Sequence, residues 1–268
     1  MVGGKREAGS ESRPGAYGAG APFLRENDEV TTTQALARRR YPWPIEFYRS
    51  AVGKKWVMGI TGIVLIGYLV FHTIGNLKIY LGAEEIDSYG EALRDLGGHL
   101  VPHTSLLWLL RGGLLLCAIL HIHAAATLTV TNWKARSGRY RDRDYAVASY
   151  ASRSMRATGV VVVFFLFFHL ADLTWGVSPA ASDVYARGAI YANMVASFER
   201  IPVAILYVIA NLSLAPHLYH GTWSLFQSLG WNHPRFNQWR RYAAGAVTGF
   251  VVIGNLSFPI AVQLGYFD

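Results

Sequence analysis

The stretch 157–177, ATGVVVVFFLFFHLADLTWGV, decides the fold. It is a near-continuous apolar run of about the length a helix needs to cross a bilayer, roughly 20 residues. It carries one histidine, His169, and one acid, Asp172. In hydrocarbon every backbone donor and acceptor must pair inside the segment, so the run predicts a transmembrane helix. A histidine inside such a helix is costly and marks a functional position by default.

Four further runs of the same kind lie near 56–81, 105–131, 201–226 and 242–264. With 157–177 they take up nearly half of the 268 residues and leave no room for a large soluble domain. The composition agrees: 52% of residues are hydrophobic and only 16% charged, against about 25% charged in soluble domains. The sequence therefore predicts an all-α, multi-pass membrane protein with five transmembrane helices. Residues 1–40 predict a flexible cytoplasmic extension. It is rich in Gly, Ala, Ser, Glu and Arg, with no apolar period and no apolar core of the signal-peptide kind. Residues 41–268 predict one membrane domain.

Charge gives the topology. The net charge is +8. Arg38, Arg39, Arg40, Arg49, Lys54 and Lys55 precede the first span, a cluster from Lys134 to Arg156 follows the second, and Arg235, Arg240 and Arg241 follow the fourth. The other two connections are acidic or mixed, with Glu84, Glu85, Asp87, Glu91 and Asp95 in one and Asp183 and Glu199 in the other. The positive-inside rule then predicts a cytoplasmic N-terminus and an outside C-terminus, and the expected location is the cytoplasmic (inner) membrane. Basic residues split among membrane-flanking loops form no single patch, so nucleic acid is excluded as a partner. The single cysteine, Cys117, cannot ligate an iron–sulfur cluster, which needs about four thiolates.

Each of the first four spans holds a histidine at a telling depth: His72, His121, His169 and His217. At a rise of 1.5 Å per residue, His72 lies about 15 Å before Gly82 and His169 about 15 Å before Pro179, both near the outer end. His121 lies roughly 28 Å beyond Pro102 and His217 roughly 22 Å beyond Pro202, in spans running the other way. Two levels result, roughly 10 Å apart, as two stacked cofactors require. One such histidine is readily explained as interhelical hydrogen-bonding glue; four at matched depths are not. Paired neutral imidazoles suit haem iron, and two of them saturate it for electron transfer. The residues thus predict a bundle binding two b haems, with His72 and His169 as axial ligands of the outer haem and His121 and His217 of the inner one. His220 lies one turn beyond His217 and is an alternative ligand at that level. His123 is about 200° round the helix from His121, so only one of the two faces the centre.

Other candidates follow from position. Arg153 and Arg156 enter the third span at the cytoplasmic side, where they suit haem propionates or plain positive-inside anchoring. Asp172 and Trp175 lie outward of His169 and suit the border of a quinone pocket, or else a capping acid and an interface aromatic. Tyr191 and Asn193, near the outer mouth, are further lining candidates.

These residues carry a resemblance. The order of Thr61-Gly62, Phe71-His72, Gly75-Asn76-Leu77-Lys78, Leu120-His121-Ile122, Arg153-Ser154-Met155 and Phe168-His169-Leu170-Ala171-Asp172-Leu173-Thr174 resembles the cytochrome b subunit of succinate dehydrogenase or fumarate reductase. Tyr191 to Phe198 and His217-Leu218-Tyr219-His220-Gly221-Thr222-Trp223-Ser224 complete the set over residues 43–264. The likeness is to the dihaem b558 class, actinobacterial members above all. It implies the membrane anchor of a succinate:quinone oxidoreductase in the respiratory chain and tricarboxylic acid cycle. Such a subunit has no succinate-oxidising site of its own. It passes electrons from an iron–sulfur subunit through two b haems to menaquinone. The partners implied are that iron–sulfur subunit, a flavoprotein subunit, quinone and the lipid bilayer, and a higher oligomer of the complex is compatible with it. The resemblance pairs the first span with the third and the second with the fourth, and selects His217 over His220. Two other readings stand at this point: a dihaem anchor for a formate dehydrogenase or hydrogenase, and a haem-free proton-coupled transporter.

Overall fold

The computed structural model describes residues 41–135, 150–231, 233, 235 and 237–267. The predicted 1–40 extension lies outside these residues, as does most of the basic loop after the second span. Residues 47–268 form one compact unit, and the chain up to Glu46 is a separate one. The described residues are overwhelmingly helical and contain no strand.

A short helix α1 (Trp43–Arg49) precedes α2 (Ala51–Asn76). Ser50 starts α2 as its N-cap, its hydroxyl accepting the Gly53 N–H at 2.9 Å. The helix tightens into a 3₁₀ turn, Leu77–Leu81, and stops at Gly82, whose φ of 107° suits glycine. Then come α3 (Ala83–Arg94), α4 (Ser105–Ala135) and α5 (Tyr150–Leu170). α5 runs into one π-helical turn, Ala171–Trp175, closed by Gly176 at φ 65°. A short α6 (Ile190–Glu199) leads to α7 (Ile201–Ser228), and α8 (Asn237–Gln263) ends the fold.

Five segments are long and apolar enough to cross a membrane: Ala51–Leu81, Ser105–Lys134, Ser154–Trp175, Ile201–Ser228 and Asn237–Gln263. They match the five runs read from the sequence. Their outward faces carry large exposed apolar side chains such as Leu109, Phe164 and Ile253. Acyl chains cover such faces at no loss, whereas water would not. The chain is a multi-pass membrane protein.

The packing order follows from which helices touch. α2 packs on α4, α7 and α8, while α5 packs on α7, which also packs on α8. Among the described residues α4 and α5 make no substantial contact with each other. The four histidine-bearing helices thus run α4–α2–α7–α5, with the two end members apart. Small residues allow the close approaches: Gly59 lies against Leu225 and Leu229, and Gly254 against Thr73.

One end of the bundle is capped. Ile79 and Ile86 meet Met194, Phe198, Val203, Tyr207, Phe258 and Val262 in a buried apolar cluster. Gln263 adds a bond from Nε2 to the Phe198 carbonyl at 2.6 Å. This end gathers the C-terminus of α2, the π turn, α3, α6 and the C-terminus of α8. The N-terminus of α2 lies at the opposite end, so the odd number of spans places the start and finish of the membrane domain at opposite ends.

Candidate functional site

The interior polar groups sit on two levels. At the level nearer the cap, the rings of His72 (α2) and His169 (α5) face each other edge to face, 5.8 Å between centroids. At the other level His121 (α4) and His217 (α7) lie within electrostatic reach of one another. Each pair joins helices that are not neighbours in the α4–α2–α7–α5 row, so each pair spans the interior.

Hydrogen bonding fixes which ring nitrogen bears the proton. The Thr61 hydroxyl donates to the Val57 carbonyl at 2.7 Å and stands 3.2 Å from His121 Nδ1. A hydroxyl has one proton. With that proton given to the carbonyl, the oxygen accepts from His121 Nδ1–H. The same logic holds for His217: Thr158 donates to the Ser154 carbonyl at 3.0 Å and lies 3.5 Å from Nδ1. At His169 the Tyr207 hydroxyl, 3.2 Å from Nδ1, gives its proton to Asp172 Oδ2 at 2.9 Å. At His72 the Asn76 amide Nδ2 donates to Nε2 at 3.1 Å, and Nδ1 faces the Tyr68 hydroxyl at 3.5 Å. His121, His169 and His217 therefore carry the Nδ1 proton and keep the Nε2 lone pair, the form a metal binds, whereas the His72 Nε2 lone pair is taken by the Asn76 amide.

The fit to haem can be judged on that chemistry. Imidazole binds first-row metals at about 2 Å, so two rings flanking one iron stand with centroids roughly 6 Å apart. The His72–His169 separation of 5.8 Å agrees. Glycine leaves room for the rings at the other level: a Cβ on Gly62 would lie 3.7 Å from His121 Cε1, and one on Gly159 only 3.2 Å from His217 Cε1. No cluster of three or more His, Cys, Asp or Glu suited to a bare metal ion occurs among the described residues. Haem iron asks for only two side chains.

The other two histidines within the spans, His123 and His220, point elsewhere. His123 Nδ1 meets the Tyr48 hydroxyl at 2.5 Å and the two rings stack, so it serves the end near α1. His220 packs edge-on against Trp223, 5.5 Å between centroids, and its Nδ1 is buried without a hydrogen-bond partner among the described residues.

The other predicted residues divide. Asp172 is only 1% exposed and accepts from Ser197 Oγ at 2.5 Å, Arg200 Nη2 at 2.8 Å and Tyr207. Trp175, by contrast, is 57% exposed at the bundle edge. The buried Asn193 side chain clasps the backbone of Ala186 twice, at 2.9 and 2.7 Å, and so holds the loop before α6. Tyr191 donates its backbone N–H to Asp87 Oδ1 and its hydroxyl to the Phe267 carbonyl. Asp172, Tyr191 and Asn193 are thus engaged with protein partners, and Trp175 is the one that faces outward. Arg156 is exposed with its guanidinium over the Trp133 ring, 5.9 Å away. The Arg153 side chain lies outside the described residues.

Sequence reasoning missed Tyr207, Ser197, Arg200 and the Thr158-Gly159 dipeptide. Arg200 reads as an ordinary span-flanking cation and Tyr207 as an apolar-span aromatic. Thr158-Gly159 did carry a signal: it repeats Thr61-Gly62 in another span. Arg111 was also passed over. It is exposed within two turns of the start of α4, with its guanidinium over Trp108, 5.2 Å from the ring centroid.

Five membrane spans with paired imidazoles at two interior levels define a helical multi-pass membrane protein. Residues 131–256 match the family described as the succinate dehydrogenase/fumarate reductase transmembrane subunit. The match covers a little under half the chain, takes in one histidine of each pair, His169 and His217, and supports that family. No curated protein and no solved structure matches the chain.

Proposed function

We propose that this chain is the membrane anchor and electron-transfer subunit of a succinate:quinone oxidoreductase of the dihaem type. The observation that carries the reading is the arrangement of four histidines on two levels, with His72 meeting His169 edge to face and His121 within electrostatic reach of His217. His72 with His169, and His121 with His217, would each hold one b haem. Bound in this way, haem supplies reversible one-electron transfer with no open position for oxygen.

The chain's own residues do the rest. Thr61, Thr158 and Tyr207 hold three of the rings by Nδ1. At His72, iron would take the lone pair now shared with the Asn76 amide. His217 is favoured over His220 because its ring is held by Thr158 and seated on Gly159, whereas His220 turns to Trp223. Arg156, at the end away from the cap, suits a haem propionate. The apolar faces exclude water from both levels.

The charge pattern supports a capped end that faces outside and a basic end that faces the cytoplasm. The iron–sulfur subunit would dock at the basic end, where residues 49–55, 133–134, 235 and 237–241 lie, and the flavoprotein subunit would join through it. Electrons would leave to menaquinone beside the capped-end histidine pair. The exposed Trp175 is the residue that suits stacking with a quinone ring there, while Asp172, Tyr191 and Asn193 shape the wall behind it.

The test is direct. The purified complex should give two b haems per chain in a pyridine haemochrome assay and should contain a flavoprotein and an iron–sulfur subunit. One haem or none sinks the haem assignment. Partners of another dehydrogenase type sink the succinate assignment.

A further inference from the structure

His169 differs from the other three histidines in what stands behind it. Tyr207 has one hydroxyl proton and gives it to Asp172 Oδ2 at 2.9 Å, so its oxygen takes the His169 Nδ1–H at 3.2 Å. The Asp172 carboxylate is almost wholly buried, and Arg200 binds its other oxygen, Oδ1, at 2.8 Å. Ser197 and Arg200 are joined in turn at 3.2 Å. Tyr207 cannot swing away. Phe165 and Phe198 meet its ring edge to face, with centroids 4.9 and 4.8 Å away. The π turn at Ala171–Trp175 places Asp172 in this cluster directly after the His169 helix, a common position for such turns at functional sites.

The other level is backed differently. His121 and His217 rest on threonine hydroxyls whose protons go to neutral backbone carbonyls. The two levels therefore differ in the charge behind the ligand: a carboxylate through a tyrosine at one, a peptide carbonyl through a threonine at the other.

The geometry points to Tyr207 and Asp172 as positioning residues of His169, which hold the iron of the His72–His169 pair at a lower reduction potential than threonine backing would. This rests on the reading of His169 as an iron ligand. An imidazole that donates toward a carboxylate is a more basic ligand and favours the oxidised metal. Second-shell hydrogen bonding is one of the levers by which a protein sets a haem's potential. Arg200 offsets part of the carboxylate's charge but binds the oxygen that Tyr207 does not.

The test uses the purified complex with the full-length chain, titrated for potential by visible spectroscopy and examined by EPR in the ferric state. The haem in question is identified as the one lost in His72→Ala. Tyr207→Phe should keep both haems and shift this haem's reduction equilibrium roughly tenfold toward the reduced form, about 59 mV upward for one electron. Its ferric EPR g values should move as the imidazole turns, and the other haem should not respond. Asp172→Asn should shift the same haem in the same direction, and it carries the test alone if Tyr207→Phe does not assemble. Unchanged potential and EPR signals for this haem, or a downward shift, overturn the inference. A wild-type complex lacking two b haems would instead sink the parent reading, so the two failures are distinct.

Discussion

Gly159 passes so close to His217 that a methyl group on it would stand 3.2 Å from the imidazole Cε1. The matching approach, Gly62 to His121, leaves 3.7 Å. The first is tighter than ordinary van der Waals contact and the second is not, so the two positions should respond differently to one added carbon. Gly159→Ala should displace the His217 ring and lower the content or alter the spectrum of the haem at that level. Gly62→Ala should leave both haems in place. Haem content and the low-temperature α-band of the two variants check this. Equal behaviour of the two would show that the ring positions are not set by these glycines.

His217→Ala should remove one haem, while His220→Ala should retain both. His217 is held through Nδ1 by Thr158, and His220 is turned against Trp223. Haem quantification on the purified variants decides. Haem loss confined to His220→Ala would exchange the two roles.

Asn193→Ala should weaken the cap without touching the haems. Its amide makes two bonds to the Ala186 backbone from a buried position. Truncation leaves that backbone N–H and carbonyl unpaired, a loss of about 1–3 kcal/mol. Thermal unfolding of the complex should move down while haem content at low temperature stays at two per chain. An unchanged unfolding temperature would mean the clasp contributes little.

Trp175→Ala should impair quinone reduction while dye-linked succinate oxidation and both haems stay intact. Trp175 is exposed at the capped end, and its ring suits stacking with a quinone. Steady-state assays with a menaquinone analogue and with an artificial dye, run side by side, separate the two steps. Full quinone activity in the variant would move the quinone site elsewhere.

Much of the fold was legible in the sequence because the bilayer imposes one simple rule. A spanning segment must be helical, apolar and about 20 residues long. The runs at 157–177 and 201–226 therefore declared themselves without reference to their neighbours. The depth of each histidine was legible for the same reason: a helix of known rise turns residue number into height. That His72 and His169 share one level was implied by that count; that their rings meet edge to face came from the packing.

What the sequence could not show was direction around each helix and the partners met there. Asp172, inside the third apolar run and outward of His169, suited either the border of a quinone pocket or a capping acid. The tertiary structure buries it under Tyr207, Ser197 and Arg200, residues 25 to 35 positions away. Asn193 and Tyr191 likewise looked like pocket lining and are occupied with a loop and the C-terminal segment. The proton positions on the four rings also depended on the fold. Two were set by threonines two to three turns from a helix start, 59 and 60 residues from the histidines they hold. Length and hydropathy act within a segment, so a sequence states them outright. Hydrogen-bond partnership between segments exists only once the helices have packed, and at these sites the packing decided it.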